Sequence, residues 1–367
     1  MHPAHRRILS ALRNPLVLVD ATPDELDLTL RLTRRARLLG RLATAAERTG
    51  ALAHLPRIAV DQLRSASVTA AAQARIARWE LNRLGRALDA LPEVLLVAMK
   101  GTAYLLSGTP NAEGRLFSDV DLLVPERDLS RVERRLLESG WVGKELTPYD
   151  DLYYRKWTHE LPPLVHEERE VEVDLHHSIV MRTSRLVFSS DKLFERIRPV
   201  AGTRFAVLDP ADMLLNAMVH LFYGGEMTEA LRELVDIADL FDHFGESEPD
   251  FHQAFWERAG ELGLGRPAFY GVRYAHQLLE APVPEQLLRV SQAAAPAPAV
   301  LAMMDRLVRG AVFPPHPDEP DRSKDTAQFA LYLRSHWVKM PPLMLCRHLF
   351  VKAIYRLKRA ESLPQPG

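Results

Sequence analysis

Residues 94–124 read VLLVAMKGTAYLLSGTPNAEGRLFSDVDLLV, and in no other part of the chain do apolar runs, a glycine turn and closely spaced carboxylates fall together. Val94-Leu95-Leu96-Val97-Ala98 is a short continuous apolar run of the kind that forms a strand buried on both faces, and Met99-Lys100-Gly101-Thr102 breaks it into a turn. Residues 102–107 carry a helical pattern and 108–114 are loop-like. Ser118-Asp119-Val120-Asp121-Leu122-Leu123-Val124 then reads as a second strand.

Side chains alternate across a strand, so Asp119 and Asp121 share one face while Val120 and Leu122 take the other. Two neighbouring carboxylates repel at neutral pH unless a cation lies between them or one takes up a proton. Mg²⁺ is hard, prefers oxygen donors and is commonly held by one or two carboxylates together with substrate phosphates. Alone, the pair also fits an exposed strand edge with solvated acids. A third acid changes the balance. In Glu170-Val171-Glu172-Val173-Asp174-Leu175-His176-His177 the alternation puts Glu172, Asp174 and His176 on one face and Val171, Val173 and Leu175 on the other. If this strand lies beside the first, three carboxylates converge.

The ordered set of Lys100-Gly101-Thr102 after a strand, a helix, Asp119-Val120-Asp121 on the next strand and Asp174 on a later one resembles the polymerase-β-type nucleotidyltransferase superfamily. Within it, Lys-Gly-Thr, Ser-Asp-Val-Asp-Leu-Leu-Val, Ser139-Gly140-Trp141 and Val173-Asp174-Leu175-His176 are most similar to an uncharacterised bacterial nucleotidyltransferase family, over residues 91–180. The turn has Gly101-Thr102 where the superfamily usually has Gly-Ser or Gly-Gly. The resemblance implies an α+β fold, with a small mixed-sheet nucleotidyltransferase core flanked by N-terminal and C-terminal helical regions. It implies catalytic and metal-binding roles for Asp119, Asp121 and Asp174, and contacts to nucleotide from Lys100, Gly101, Thr102, Arg115 and Ser118. The implied cofactor is Mg²⁺, or Mn²⁺ in its place, with an NTP as co-substrate and pyrophosphate as product. The alternative is a catalytically idle nucleotide-binding or regulatory module.

Length and charge bound the rest. A chain of 367 residues with 47% hydrophobic content buries a core of two or three packed units. The expected division is a helical region over 1–90, the α/β core over 91–200 and a helical domain over 201–367. Net charge is −1, so no global basic field draws the protein to nucleic acid or membrane. A small-molecule, peptide or protein acceptor is therefore favoured over nucleic acid. Cys346 is the single cysteine, which excludes an internal disulfide and a cysteine-based zinc site. No apolar run approaches the ~18 residues of a membrane span, and the run 15–19 is too short for a signal-peptide core. These features together read as a cytoplasmic protein without stable membrane insertion.

In the flanks, Leu28, Leu30, Leu32, Leu38, Leu39 and Leu42 lie among Arg31, Arg34, Arg35, Arg37 and Arg41, which read first as ion pairs or a solvated face. Residues 61–91 predict a helix with Trp79, Leu81, Leu84 and Leu88 as core contacts, and 128–139 predict another. Residues 152–157 and 163–166 read as strands. The histidines 159, 166, 176 and 177 lack H-E-x-x-H spacing, so His176 is taken as a site neighbour or packed residue and the rest as structural or exposed. Further on, 209–223 and 229–244 read as helices. There Asp236 pairs by default with Arg232 four residues earlier; the alternative places it in the cleft, assisting the acceptor. Residues 293–299 and 314–320 read as loops, and 347–359 as a basic amphipathic helix docked on the body of the protein.

Overall fold

Alternation along two short strands decides which way the sheet faces. In the computed structural model, which describes residues 2–225, 227–319 and 322–361 and side chains as far as Val351, the described residues form seven strands. They are β1 (Val97–Ala98), β2 (Asp119–Leu123), β3 (Trp141–Gly143), β4 (Leu164–His166), β5 (Glu172–His176), β6 (Arg198–Pro199) and β7 (Ala206–Val207). The sheet order is β3-β4-β5-β2-β1-β7-β6. β2 pairs parallel with β5 and antiparallel with β1, and β1 pairs parallel with β7, which makes the sheet mixed. Helices flank it on both faces, so the fold is α+β.

The two faces belong to two cores. Val120 and Leu122 of β2 and Val173 and Leu175 of β5 pack with Leu81 and Leu84 of the helix Arg57–Ala87 and with Leu129, Val132 and Leu136 of the helix Leu129–Leu137. Each fully buried leucine or valine contributes about 1.5–3 kcal/mol of transfer free energy. The acid-bearing face looks the other way. Leu123, on that face, joins a second cluster containing Ile8 of the helix Pro3–Arg13, Leu32 of the helix Pro23–Arg35 and Met213, Leu214 and Leu221 of the helix Pro210–Gly224. One apolar cluster therefore joins helices from both ends of the chain over the face that carries the acids.

The helices start where local chemistry allows. Thr22 and Glu25 form a reciprocal capping box with Pro23 at the first turn, and Asp209 caps the helix that Pro210 begins. The interspersed arginines are mostly paired: Arg31 with Asp318, Arg37 with Glu229, and Arg41 with Asp239, each across a long sequence separation.

Several sequence expectations change. Residues 152–157 are not a strand but part of the helix Pro148–Trp157, because the Thr147 hydroxyl accepts from the Asp150 amide, Asp150 and Asp151 favour the N-terminal turn, and Asp151 pairs with Arg155 four residues on. Trp79 is half exposed and lies under the guanidinium groups of Arg83 and Arg169, so its partners are cations and not the core. The loop over 293–299 is shorter than expected, since a helix begins at Pro298. The helix Pro342–Glu361 covers the basic segment, and the side chains of Lys352, Arg356 and Lys358 lie outside the described residues. Among the described residues no single helix is long and apolar enough to cross a membrane.

Candidate active site

Parallel pairing of β2 with β5 sets Asp119 beside Glu172, Asp121 beside Asp174 and Leu123 beside His176. Neighbouring strands run about 4.8 Å apart, so in-register residues on one face form a row of close side chains. That row opens on a cleft of about 580 Å³ between the sheet and the C-terminal helices, lined among others by Lys100, Gly101, Arg115, Ser118, Asp119 and Asp174. The volume lies within the range of pockets that enclose a small ligand, roughly 300–1,000 Å³.

Asp121 is almost fully buried and holds two donors on one oxygen. Lys100 Nζ donates to its Oδ1 at 2.7 Å and His176 Nε2 donates to the same atom at 2.9 Å. Burial alone would raise this carboxyl, but the Lys100 charge and the His176 hydrogen bond outweigh it and hold the group well below the usual carboxylate range. Burial pulls the Lys100 ammonium down, and the Asp121 charge more than reverses that. Asp174 is the opposite case. Burial first, then the charges of Asp121, Glu160 and Asp119, push its carboxyl up to about 8, and its Oδ1 is buried without a hydrogen-bond partner. Asp119 accepts from the Ser118 hydroxyl at 2.9 Å.

Lys100 has φ +48°, in the left-handed region where a side chain is strained. Of the five such non-glycine residues among those described, Lys100 and Arg37 both line the cleft, and backbone strain of this kind concentrates at functional sites. Gly101 also lines it, with Arg115 Nε 3.0 Å and the Phe117 ring 3.5 Å from where a Cβ would stand. Thr102 sits elsewhere. It is buried, and its hydroxyl donates to the Met99 carbonyl at 2.9 Å, so it builds the turn instead of facing the cleft.

Arg115 reaches the cleft wall, but its charge is engaged. Its Nη1 donates to both carboxylate oxygens of Asp236, at 2.7 and 2.6 Å, with both side chains buried and the guanidinium over the Tyr104 ring. Asp236 therefore pairs with Arg115 across 121 residues, and not with Arg232, which pairs with Glu229. The intrahelical pair expected from spacing gives way because Asp236 is on the buried side of the helix Ala230–Ser247, where only a buried cation can meet it.

With this arrangement in place, the comparison with known families is decisive: the model of an uncharacterised nucleotidyltransferase family matches residues 22–280. The chain belongs to this nucleotidyltransferase family. The match extends well beyond the motif-bearing core, into the arginine-rich helices before it and the helices after it. No curated protein and no solved structure matches the chain.

This nucleotidyltransferase family member also brings to its cleft residues that the sequence reading passed over or treated as structural. His159 and Glu160 lie against His176, with the His159 and His176 ring centroids 5.4 Å apart. Burial, then the charges of His176 and Lys100, pushes the His159 imidazole well below the usual histidine range. On the opposite wall His220 Nδ1 meets Glu233 Oε2 at 3.1 Å, beside Asn216, Tyr223 and Arg232. Sequence offered no signal for His159, because it is brought to the site by the antiparallel bridge of Glu160 with His176, a pairing made only in the fold. For His220 there was none, because a polar residue near a helix end looks the same whether or not a cleft lies beside it.

Proposed function

We propose that this protein transfers a nucleoside monophosphate from an NTP to an acceptor, with release of pyrophosphate. The observation that carries the reading is the row Asp119, Asp121 and Asp174, joined by the parallel register of β2 and β5, with a buried and unpartnered oxygen on Asp174. A carboxyl group in that position calls for a proton or a cation, and Asp121, Asp174 and His176 each offer a donor atom within 4.8 Å of the others. Asp121 and Asp174 offer the oxygen donors that a divalent ion, Mg²⁺ or Mn²⁺, prefers, and Asp119, on the same face of β2 but outside that cluster, is the third ligand in this reading. When bound, that ion supplies charge neutralisation for the triphosphate and acidifies the attacking acceptor group.

The remaining work falls to the chain. Lys100, at the strained turn, is placed to move its ammonium from Asp121 to a phosphate oxygen once the acids have another cation. The backbone at Gly101 opens the helix Lys100–Ser107 toward the phosphates, and Ser118 fixes the Asp119 carboxylate. Attack by the acceptor nucleophile on the α-phosphorus forms one P–O or P–N bond as the bond to the β-phosphate oxygen breaks, and the nucleophile's proton passes to an oxygen of Asp174. Asp174 takes that proton in its carboxylate form, which a dication beside it would favour over the protonated form of the metal-free protein. Most of the acceleration comes from positioning and charge complementarity. A small-molecule, peptide or protein acceptor is favoured, because the helical arginines are tied into ion pairs instead of forming a free basic stripe.

The test is incubation of purified protein with each labelled NTP, Mg²⁺ and fractionated small molecules and proteins, reading pyrophosphate and labelled products. Turnover should depend on Mg²⁺ and disappear in Asp119→Asn and Asp121→Asn. Undiminished turnover in both variants overturns the assignment, and nucleotide binding without pyrophosphate in any fraction turns the reading to an idle module.

A further inference from the structure

His176 faces two ways, and only one side belongs to the acidic row. Its Nε2 lies 2.9 Å from Asp121 Oδ1, an oxygen that can only accept, so Nε2 carries the hydrogen. Its Nδ1 lies on the opposite side of the ring, 3.3 Å from Glu160 Oε2, and has no hydrogen-bond partner although the side chain is only 2% exposed. The same Glu160 oxygen lies 3.7 Å from His159 Nε2. His159 Nδ1 is also buried without a partner. Two imidazoles and a carboxylate thus gather at one spot, each offering a donor atom within 4.8 Å of the other two.

We propose that His159, Glu160 and His176 form a binding site for a first-row transition dication of the Zn²⁺ or Co²⁺ class, separate from the acids that face the nucleotide. The spacing supports it. Donors held about 2.0–2.2 Å from a tetrahedral ion stand roughly 3.4 Å apart, and the Glu160 distances of 3.3 and 3.7 Å are close to that before any ion enters. The ligand types support it too: imidazole nitrogen suits Zn²⁺, Co²⁺ and their neighbours, whereas Mg²⁺ takes oxygen donors. The surroundings complete the pattern. A metal-bound histidine usually donates its other ring N–H to a carboxylate, and His176 does so to Asp121. The ion would fix the ring that holds Asp121, and so position the acidic row without touching the nucleotide.

Cobalt is the probe, because its visible absorption reports nitrogen ligation independently of activity. One equivalent of Co²⁺ is added to nucleotide-free protein in a large excess of Mg²⁺, and absorption and metal content are read after gel filtration. Wild type and Asp174→Asn should each keep about one Co²⁺ and show the same visible band. His159→Ala and Glu160→Gln should lose most of both, with melting curves confirming that each variant is folded. Glu160→Gln keeps the side chain's size, so it carries the test if His159→Ala fails to fold. Absence of retained Co²⁺ in wild type overturns the site, as does a band that survives His159→Ala or Glu160→Gln. A band lost in Asp174→Asn assigns the ion to the acidic row and also overturns it. None of these readings depends on nucleotidyl transfer.

Discussion

Asp121 and Asp174 stand side by side in register across β2 and β5, yet the surroundings drive their carboxyls in opposite directions. Asp121 has the Lys100 ammonium and His176, while Asp174 has burial and a negative neighbour. In the metal-free protein Asp174 rises from an ordinary 3.8 to about 8. The folded state therefore holds a proton that the unfolded state has already released, so the stabilising contribution is complete below the unfolded value and is lost as pH rises through about 8. Melting of metal-free protein should fall by several degrees as pH is raised toward that value, the shift per kcal/mol being smaller for a chain of 367 residues than the roughly 2–4 °C of a domain of 150–250. Asp174→Asn should flatten the decline. Mg²⁺ should restore melting at alkaline pH in wild type only, and its affinity should tighten as pH approaches about 8 because binding displaces the proton. A flat wild-type profile by scanning fluorimetry would remove the argument.

Lys100 occupies the place of a cation on Asp121. Removing it with Lys100→Met should strengthen Mg²⁺ binding to nucleotide-free protein, since an internal competitor is gone, and weaken NTP binding, since a phosphate partner is gone. Each change should be roughly tenfold, or about 1.4 kcal/mol. Calorimetric titrations of the two ligands separate the effects, and shifts in the same direction would contradict the exchange of partners.

The Arg115–Asp236 pair predicts an asymmetry between single and double substitution. Both side chains are 8% exposed, so Asp236→Ala strands a buried guanidinium and should cost about 3–5 kcal/mol in urea unfolding. Replacing both, as Arg115→Met with Asp236→Leu, should recover most of that loss. Equal losses in the single and the double variant would show that packing, not charge, dominates there.

Gly114 fixes where Arg115 begins. Its φ is +66°, and a Cβ on it would stand 2.4 Å from the Gly40 backbone in the helix Leu39–Arg48, where neither partner can move aside as a side chain would. Gly114→Ala should lower stability by about 1–3 kcal/mol and disturb the Arg115–Asp236 pair. Gly108→Ala, with a comparable φ of +67° but open space around it, isolates the backbone term, and a loss in Gly114→Ala no larger than that control would refute the close-contact argument.

Much of the site was readable because it is periodic. The Asp119/Asp121 and Glu172/Asp174/His176 rows follow from alternation at every second residue, and a helix ending at Ser107 follows from local pattern, although it begins at Lys100, inside the stretch read as a turn. The misreadings are equally physical. Residues 152–157 alternate weakly enough to pass for a strand, and the Thr147 cap that makes them a helix lies outside that window. Trp79 has core spacing, but its ring meets arginines that arrive from later in the chain.

By itself the sequence determined that three acids occupy like faces of two strands and that helices surround them, since side-chain alternation and helix capping are set by neighbours a few residues away. Only the tertiary structure decided that Asp121 would hold Lys100 and His176 on one oxygen, that Asp174 would be left without a partner, and that Asp236 would choose Arg115 over Arg232. Those choices join residues 21 to 121 positions apart, and they are made by strand register and by which apolar faces are buried together.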